Sequence, residues 1–176
     1  SCKGLNGELY FGGINGFNVF YPERIEDNVF VPPVAITKFE IGHKEVNHQT
    51  SDILEKSITY TKKIVLDYKQ NIFSFEFAAL NYTIPEKNQY KCKLEGFDKE
   101  WNYIGTRRFI SYTNIPPGEY IFKVIASNND GIWNNEGQSI QIIIKPPFWR
   151  TGFFIISLII IIISSIYIYI KIREKR

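Results

Sequence analysis

The chain contains no methionine, and only two cysteines and two histidines among its 176 residues. Without a methionine the sequence is expected to be a processed form or a fragment of a longer protein. Its opening, Ser1-Cys2-Lys3-Gly4-Leu5-Asn6, has no apolar core of the kind a signal peptide needs. An export signal is therefore expected upstream. Cys2 and Cys92 are too few for a disulfide framework. Cys92 alternates in phase with Tyr90 and Leu94 and reads as a small buried hydrophobe, and nothing supports a Cys2–Cys92 bridge. His43 and His48 lack close ligand spacing to each other or to a cysteine, which argues against a metal site. Neither has a serine, cysteine or acid arranged as a triad, so both read as surface residues of a polar loop. Charge of one sign is also lacking: 21 basic residues stand against 18 acidic ones, a net of +3. The basic residues form no stripe, so no nucleic-acid partner is expected.

Aromatic residues are abundant, with 14 Phe, 11 Tyr and 3 Trp. Such residues favour strands. One long apolar run is also present. From Thr151 to Ile170 no residue is charged, and Ile159-Ile160-Ile161-Ile162-Ile163 lies at its centre. About 20 residues at 1.5 Å each match a hydrocarbon core of about 30 Å. Phe148 and Trp149 flank one end, and Tyr167 and Tyr169 the other, where amphipathic rings prefer the interface. Lys171, Arg173, Lys175 and Arg176 follow directly, against Glu174 alone, while only Lys145 and Arg150 stand near the other flank. Positive residues favour the cytoplasmic side, so a single-pass orientation follows with the N-terminal part outside and the C-terminus inside. The alternative, a buried core helix, is disfavoured because so small a domain cannot enclose a helix this uniformly apolar.

Before the run the chain reads as strands. Residues 1–32 hold two short ones, Glu8 to Phe11 and Gly16 to Pro22, joined through Gly12-Gly13. Two strands cannot bury a core, so this region is expected to be the remnant of a terminal β-propeller blade. No repeat of it recurs, which excludes a complete propeller within this chain. Pro32-Pro33 marks a stiff connection. Strand-like segments then follow: Val34 to Ile41, Lys63 to Tyr68, Ile72 to Leu80, Gln89 to Glu95, a short one from Trp101, Phe109 to Asn114, Tyr120 to Ala126, and Ser139 to Lys145. Gly42 to Lys56 reads as a polar loop. Phe73, Phe75 and Phe77 share one face, as do Tyr90, Cys92 and Leu94, and a one-residue slip in either strand would bury charge. About seven strands in roughly 100 residues point to an immunoglobulin-like or fibronectin-like β-sandwich over 33–148. The fold class is therefore all-β, with one transmembrane α-helix at 149–170 and a basic cytoplasmic stub at 171–176. Pro146-Pro147 makes the linker to the helix short and stiff, suited to passing movement of the domain to the membrane span.

Several stretches then carry a resemblance. They are Phe73-Ser74-Phe75-Glu76-Phe77-Ala78-Ala79-Leu80-Asn81-Tyr82, Tyr90 to Asp98 with Trp101, Tyr112-Thr113-Asn114-Ile115-Pro116-Pro117-Gly118-Glu119-Tyr120, Ala126 to Trp133, and Pro146-Pro147-Phe148-Trp149. In this order they resemble the three-tyrosine domain of bacterial sensors, which lies between a periplasmic propeller and the membrane. Residues 7–22 look like the terminal propeller repeat of the same sensors. The resemblance places the family's tyrosines at Tyr90, Tyr112 and Tyr120, as structural residues. Cys92 departs from it, because an aromatic is usual there. The family, found mostly in Bacteroides-like bacteria, comprises histidine kinases and hybrid two-component regulators that sense oligosaccharides through their propellers. The resemblance thus implies a homodimer through the full-length receptor, an oligosaccharide ligand held by propeller that is not in this chain, and a place in the inner membrane. It implies no cofactor, and the kinase itself is not in this chain.

Other chemistry is outweighed. Glu95 and Asp98 straddle a glycine turn, whereas glycoside hydrolysis needs two carboxyl groups facing each other across a cleft. Gly12-Gly13-Ile14-Asn15-Gly16 precedes no helix, so it reads as turn glycine and not as a phosphate cradle. Asn81-Tyr82-Thr83 fits a glycosylation acceptor, a signal with little meaning in a bacterial protein. Trp101, Tyr103 and Trp133 are either a sugar-stacking platform or core and rim residues, and the latter is the preferred reading. Two function classes remain. One is a signal-transducing spacer of a sensor, and the other is a membrane-anchored carbohydrate-binding or adhesion module without signalling. No catalytic residues are expected in either.

Overall fold

A computed structural model describes residues 1–49 and 51–174. The chain begins with a small antiparallel sheet of β1 (Cys2–Lys3), β2 (Leu9–Gly13) and β3 (Gly16–Phe20). Gly13 pairs with Gly16 across a two-residue turn, and Gly16 has φ of 134°, a conformation that favours glycine. Phe11 stacks on Phe20 at 5.6 Å, and both remain exposed, as do Phe17 and Val19. Three short strands have no second layer to bury these residues against.

The sandwich follows. One sheet is ordered β10 (Phe109–Tyr112), β7 (Phe73–Ala79), β4 (Val34–Ile41), β5 (Lys44–Glu45). The other is ordered β6 (Lys63–Leu66), β12 (Trp133–Ile144), β11 (Gly118–Ser127), β8 (Gln89–Glu95), β9 (Asn102–Gly105). Their inner faces are apolar at alternate positions, as strand geometry requires. Phe73, Phe75 and Phe77 of β7 meet Tyr90, Cys92 and Leu94 of β8, Phe122 and Val124 of β11, and Ile140, Ile142 and Ile144 of β12. Phe75 and Phe122 stack across the two layers with ring centres 4.4 Å apart. Each such ring contributes roughly 1.5–3 kcal/mol by leaving water. In β4 the buried positions change phase, from Val34 and Ile36 to Phe39. A bulge between Ile36 and Lys38 restores the inward direction. Outside, Lys38 bridges Glu40 at 2.7 Å and Glu76 at 3.5 Å, so the charged face of β7 is matched across the sheet.

Three features differ from the expectations. The last strand starts at Trp133, not Ser139, because its polar first half pairs by backbone with the end of β11 around a bulge. Gly137 sits there at φ of 56°, and any side chain would meet the Val124 carbonyl. Within the polar loop, Leu54 is buried, and just after it so is Ile58, closing the core beside β4. The helix α1 spans Gly152–Glu174, because Phe148–Arg150 form a separate 3-10 turn and the apolar run continues its hydrogen bonding into Lys171 and Arg173. Lys175 and Arg176 of the basic stub lie outside the described residues. The helix is exposed along its length, and it is long and apolar enough to cross a membrane.

Candidate functional site

The three tyrosines occupy three different structural positions. Tyr90 on β8 is buried against Phe77, and its hydroxyl accepts the backbone N–H of Ala79 at 3.1 Å, so it ties the two sheets together. Tyr112 on β10 is buried between Phe73 and Phe122, and it donates to Asp98 at 3.0 Å. The same Asp98 oxygen accepts the Leu94 N–H at 2.7 Å, which closes the turn after β8. Burial, with the Asp98 charge added, holds the Tyr112 phenol well above its ordinary range. Tyr120 at the start of β11 donates to the Pro116 carbonyl at 2.9 Å, a tyrosine corner. Its ring lies over Gly96 and Gly118, where a methyl group would stand 3.0 Å and 3.3 Å from it. Cys92 is buried between the layers, and its thiol is held up first by burial and then by the Asp98 charge, so it is chemically inert.

The other candidate residues are spread apart. Glu95 pairs with Lys123 at 2.7 Å, whereas Asp98 is engaged by Tyr112 and the turn. His43 and His48 are exposed. Trp101 and Tyr103 line one open cleft of about 520 Å³ between β9 and β10, together with Phe109 and Arg107. Trp133 is not part of it, and its ring instead carries the Lys91 ammonium at 4.2 Å. Among the described residues no three His, Cys, Asp or Glu side chains converge as metal ligands would.

Two joints bracket the sandwich. At the end where the chain enters, an asparagine cluster grips the segment before β4. Asn128 is fully buried; its amide donates to the carbonyls of Asn28 and of Phe30, the latter at 2.9 Å. Its oxygen accepts the N–H groups of Asp130 and Ile132. The Asn28 amide donates to Asn81 and Asn129, while Asn81 donates to Asn88 at 2.9 Å. Asn134 holds the Pro32 carbonyl at 3.0 Å, and Pro32 is buried. Asn81 is only 3% exposed, so its amide serves this cluster and is closed to modification. Sequence reasoning passed over the cluster, since a turn of Asn128-Asn129-Asp130 looks the same whether its amides face water or a segment 100 residues away.

At the exit, Lys145 donates its N–H to Leu66, Pro147 is buried, and Trp149 packs edge-on against Tyr68 at 5.2 Å. Phe148 contacts Trp149 and Phe154, which lies in the first turn of α1. The stiffness read from Pro146-Pro147 is thus supplemented by side chains that seat the linker on the sandwich.

Comparisons with known proteins agree with this architecture. The family model described as the Y_Y_Y domain matches residues 81–145. Histidine kinase P4 of Formosa agariphila is 35% identical over 147 residues, covering 83% of this chain and 11% of that protein. Two solved extracellular domains from B. thetaiotaomicron, each assigned to a hybrid two component system, are 32% identical with TM-scores of 0.63. They cover 81% and 82% of this chain, which spans 19% of each of them.

Proposed function

We propose, from the premise that the sandwich of this chain is a Y_Y_Y domain, that the chain is the membrane-proximal extracytoplasmic part of a two-component sensor and passes ligand state to α1. The observation that carries this reading is the pair of joints. The asparagine cluster fixes the incoming segment to one end of the sandwich, and Pro147 with the Tyr68–Trp149 contact fixes the outgoing one to the other. Between them lies a close-packed core, which moves as a body and does not absorb displacement. The likeness to a histidine kinase and to sensor extracellular domains supports the same reading. In it the helix crosses the inner membrane with its basic end in the cytoplasm, and receptors pair as homodimers. An oligosaccharide binds in propeller upstream, and the kinase acts from the other side of the membrane. A ligand shifts such a pair only by its differential affinity for the two arrangements.

Inserting Gly-Gly-Ser-Gly-Gly between Pro147 and Phe148 of a receptor carrying this region tests the relay. Loss of ligand-dependent output is expected, and unchanged output overturns the relay. The exposed Trp101–Tyr103 cleft favours a second reading, a membrane-anchored carbohydrate-binding module. Titrating residues 33–148 with oligosaccharides separates the two, because tight binding by the sandwich itself favours the module.

A further inference from the structure

The strand registers decide which loops face the membrane. β12 ends at Ile144, opposite Leu66 of β6 and Gly118 of β11. Glu95 of β8 lies opposite Ile121, close to the same end. The β6–β7 turn (67–72) and the β8–β9 turn (96–101) therefore sit at the end from which α1 leaves. The connecting segment 145–151 reaches at most about 25 Å if fully extended. Burial of Pro147 and the 3-10 turn of Phe148–Arg150 shorten it further.

This end carries an aromatic set with little else to cover it. Phe97 is 49% exposed at the tip of a tight turn, in which Gly96 has φ of 93° and both Phe97 and Asp98 donate to the Leu94 carbonyl. Its ring is held edge-on by Tyr112 at 6.5 Å. Trp149 is 46% exposed beside Tyr68. Lys69, Lys99, Lys145 and Arg150 lie on the same loops, and none pairs with an acid among the described residues. Of the acids nearby, Asp98 is occupied by Tyr112 and Leu94, Asp67 accepts the Lys69 N–H, Glu95 pairs with Lys123, and Glu100 and Glu119 are exposed.

We propose that this end is a lipid-docking surface: Phe97, Tyr68 and Trp149 enter the bilayer interface while Lys69, Lys99, Lys145 and Arg150 meet phospholipid phosphates. Amphipathic rings and basic side chains together prefer that layer. The occupant follows from continuity, since the span leaves from among these loops on a short, seated linker. Docking at three points fixes the tilt of the sandwich over the membrane, which one flexible tether cannot do. The inference rests on α1 crossing the bilayer, and the experiment reports that separately.

The whole chain, with Cys2→Ser, is reconstituted in bilayers of equal phosphatidylcholine and phosphatidylglycerol containing a headgroup-chelated gadolinium lipid. Nitroxides are placed singly at Glu100→Cys, at Glu86→Cys on the opposite end of the sandwich, and at Ser164→Cys within α1. Burial of the Ser164 label in lipid verifies the span. Relaxation at position 100 severalfold faster than at position 86 is expected. The double variant Tyr68→Ser/Phe97→Ser is expected to reduce that difference at least by half. Lys69→Gln/Lys99→Gln, which leaves the core untouched, is expected to weaken it in the mixed bilayer but not in pure phosphatidylcholine. Equal relaxation at 100 and 86 with the Ser164 label still inserted overturns the proposal. So does a position 100 signal that responds to dilution with unlabelled chain and not to lipid, which assigns the surface to a second copy.

Discussion

Tyr90 and Tyr120 make one hydrogen bond each, but losing them has different consequences. Removing the Tyr90 hydroxyl strands a buried N–H of Ala79, and an unsatisfied buried donor costs about 1–3 kcal/mol. The Tyr120 hydroxyl serves a carbonyl on an exposed proline, where water substitutes. Tyr90→Phe is therefore expected to lower unfolding free energy more than Tyr120→Phe, by about 1 kcal/mol or more in urea titrations of the sandwich. Alkaline pH provides a second test. Burial raises the Cys92 thiol and the Tyr112 phenol in the folded state, so folding binds those protons more tightly than the unfolded chain does. Their contribution is complete below the unfolded values, about 8.5 for a thiol and about 10 for a phenol, and falls as pH rises beyond each. Stability is expected to start declining near the thiol value. Cys92→Ala, although less stable at neutral pH, should move that onset toward the phenol range in a pH series of melting temperatures.

Among the elements, those with strict alternation were legible in advance. β7, β8 and β11 put apolar residues inward at every second position, and their observed spans lie close to the expected ones. The first half of β12 was not legible, because Asn134, Asn135 and Glu136 carry no apolar period and are held by polar contacts, the backbone pairing of Asn134 with Ala126 and the hydrogen bonds of the Asn134 side chain. Leu54 and Ile58 were hidden by polar neighbours, since a single apolar residue in a loop has no periodicity to betray it. Of the candidate site, the exit joint was half visible in Pro146-Pro147 and Trp149, while its partner Tyr68 lay in a turn distant in sequence. The asparagine cluster was invisible for the same reason. Asn128→Ala removes two donors to the incoming segment and two acceptor bonds that shape the turn. It is expected to destabilise the sandwich by about 2–3 kcal/mol. Cleavage within 23–31 should rise under limited proteolysis, while Asn135→Ala, on an exposed residue nearby, changes neither.

For the molecule as a whole, the proposal is that a body clamped at both ends hands its orientation to a membrane helix. The small N-terminal sheet fits this proposal, because it exposes apolar residues on both of its faces, Phe11 with Phe20 on one and Phe17 with Val19 on the other, as a blade flanked by further propeller would. The most direct measurement is an alanine-insertion series after Gly152 in a receptor carrying this region, read as ligand-dependent output. Each inserted residue turns the rest of the helix by about 100° and lengthens it by about 1.5 Å. If orientation is what passes through the junction, one or two insertions should change output strongly, and four, which nearly restore the helical phase, should recover much of it. Output that is the same for every insertion would contradict the relay.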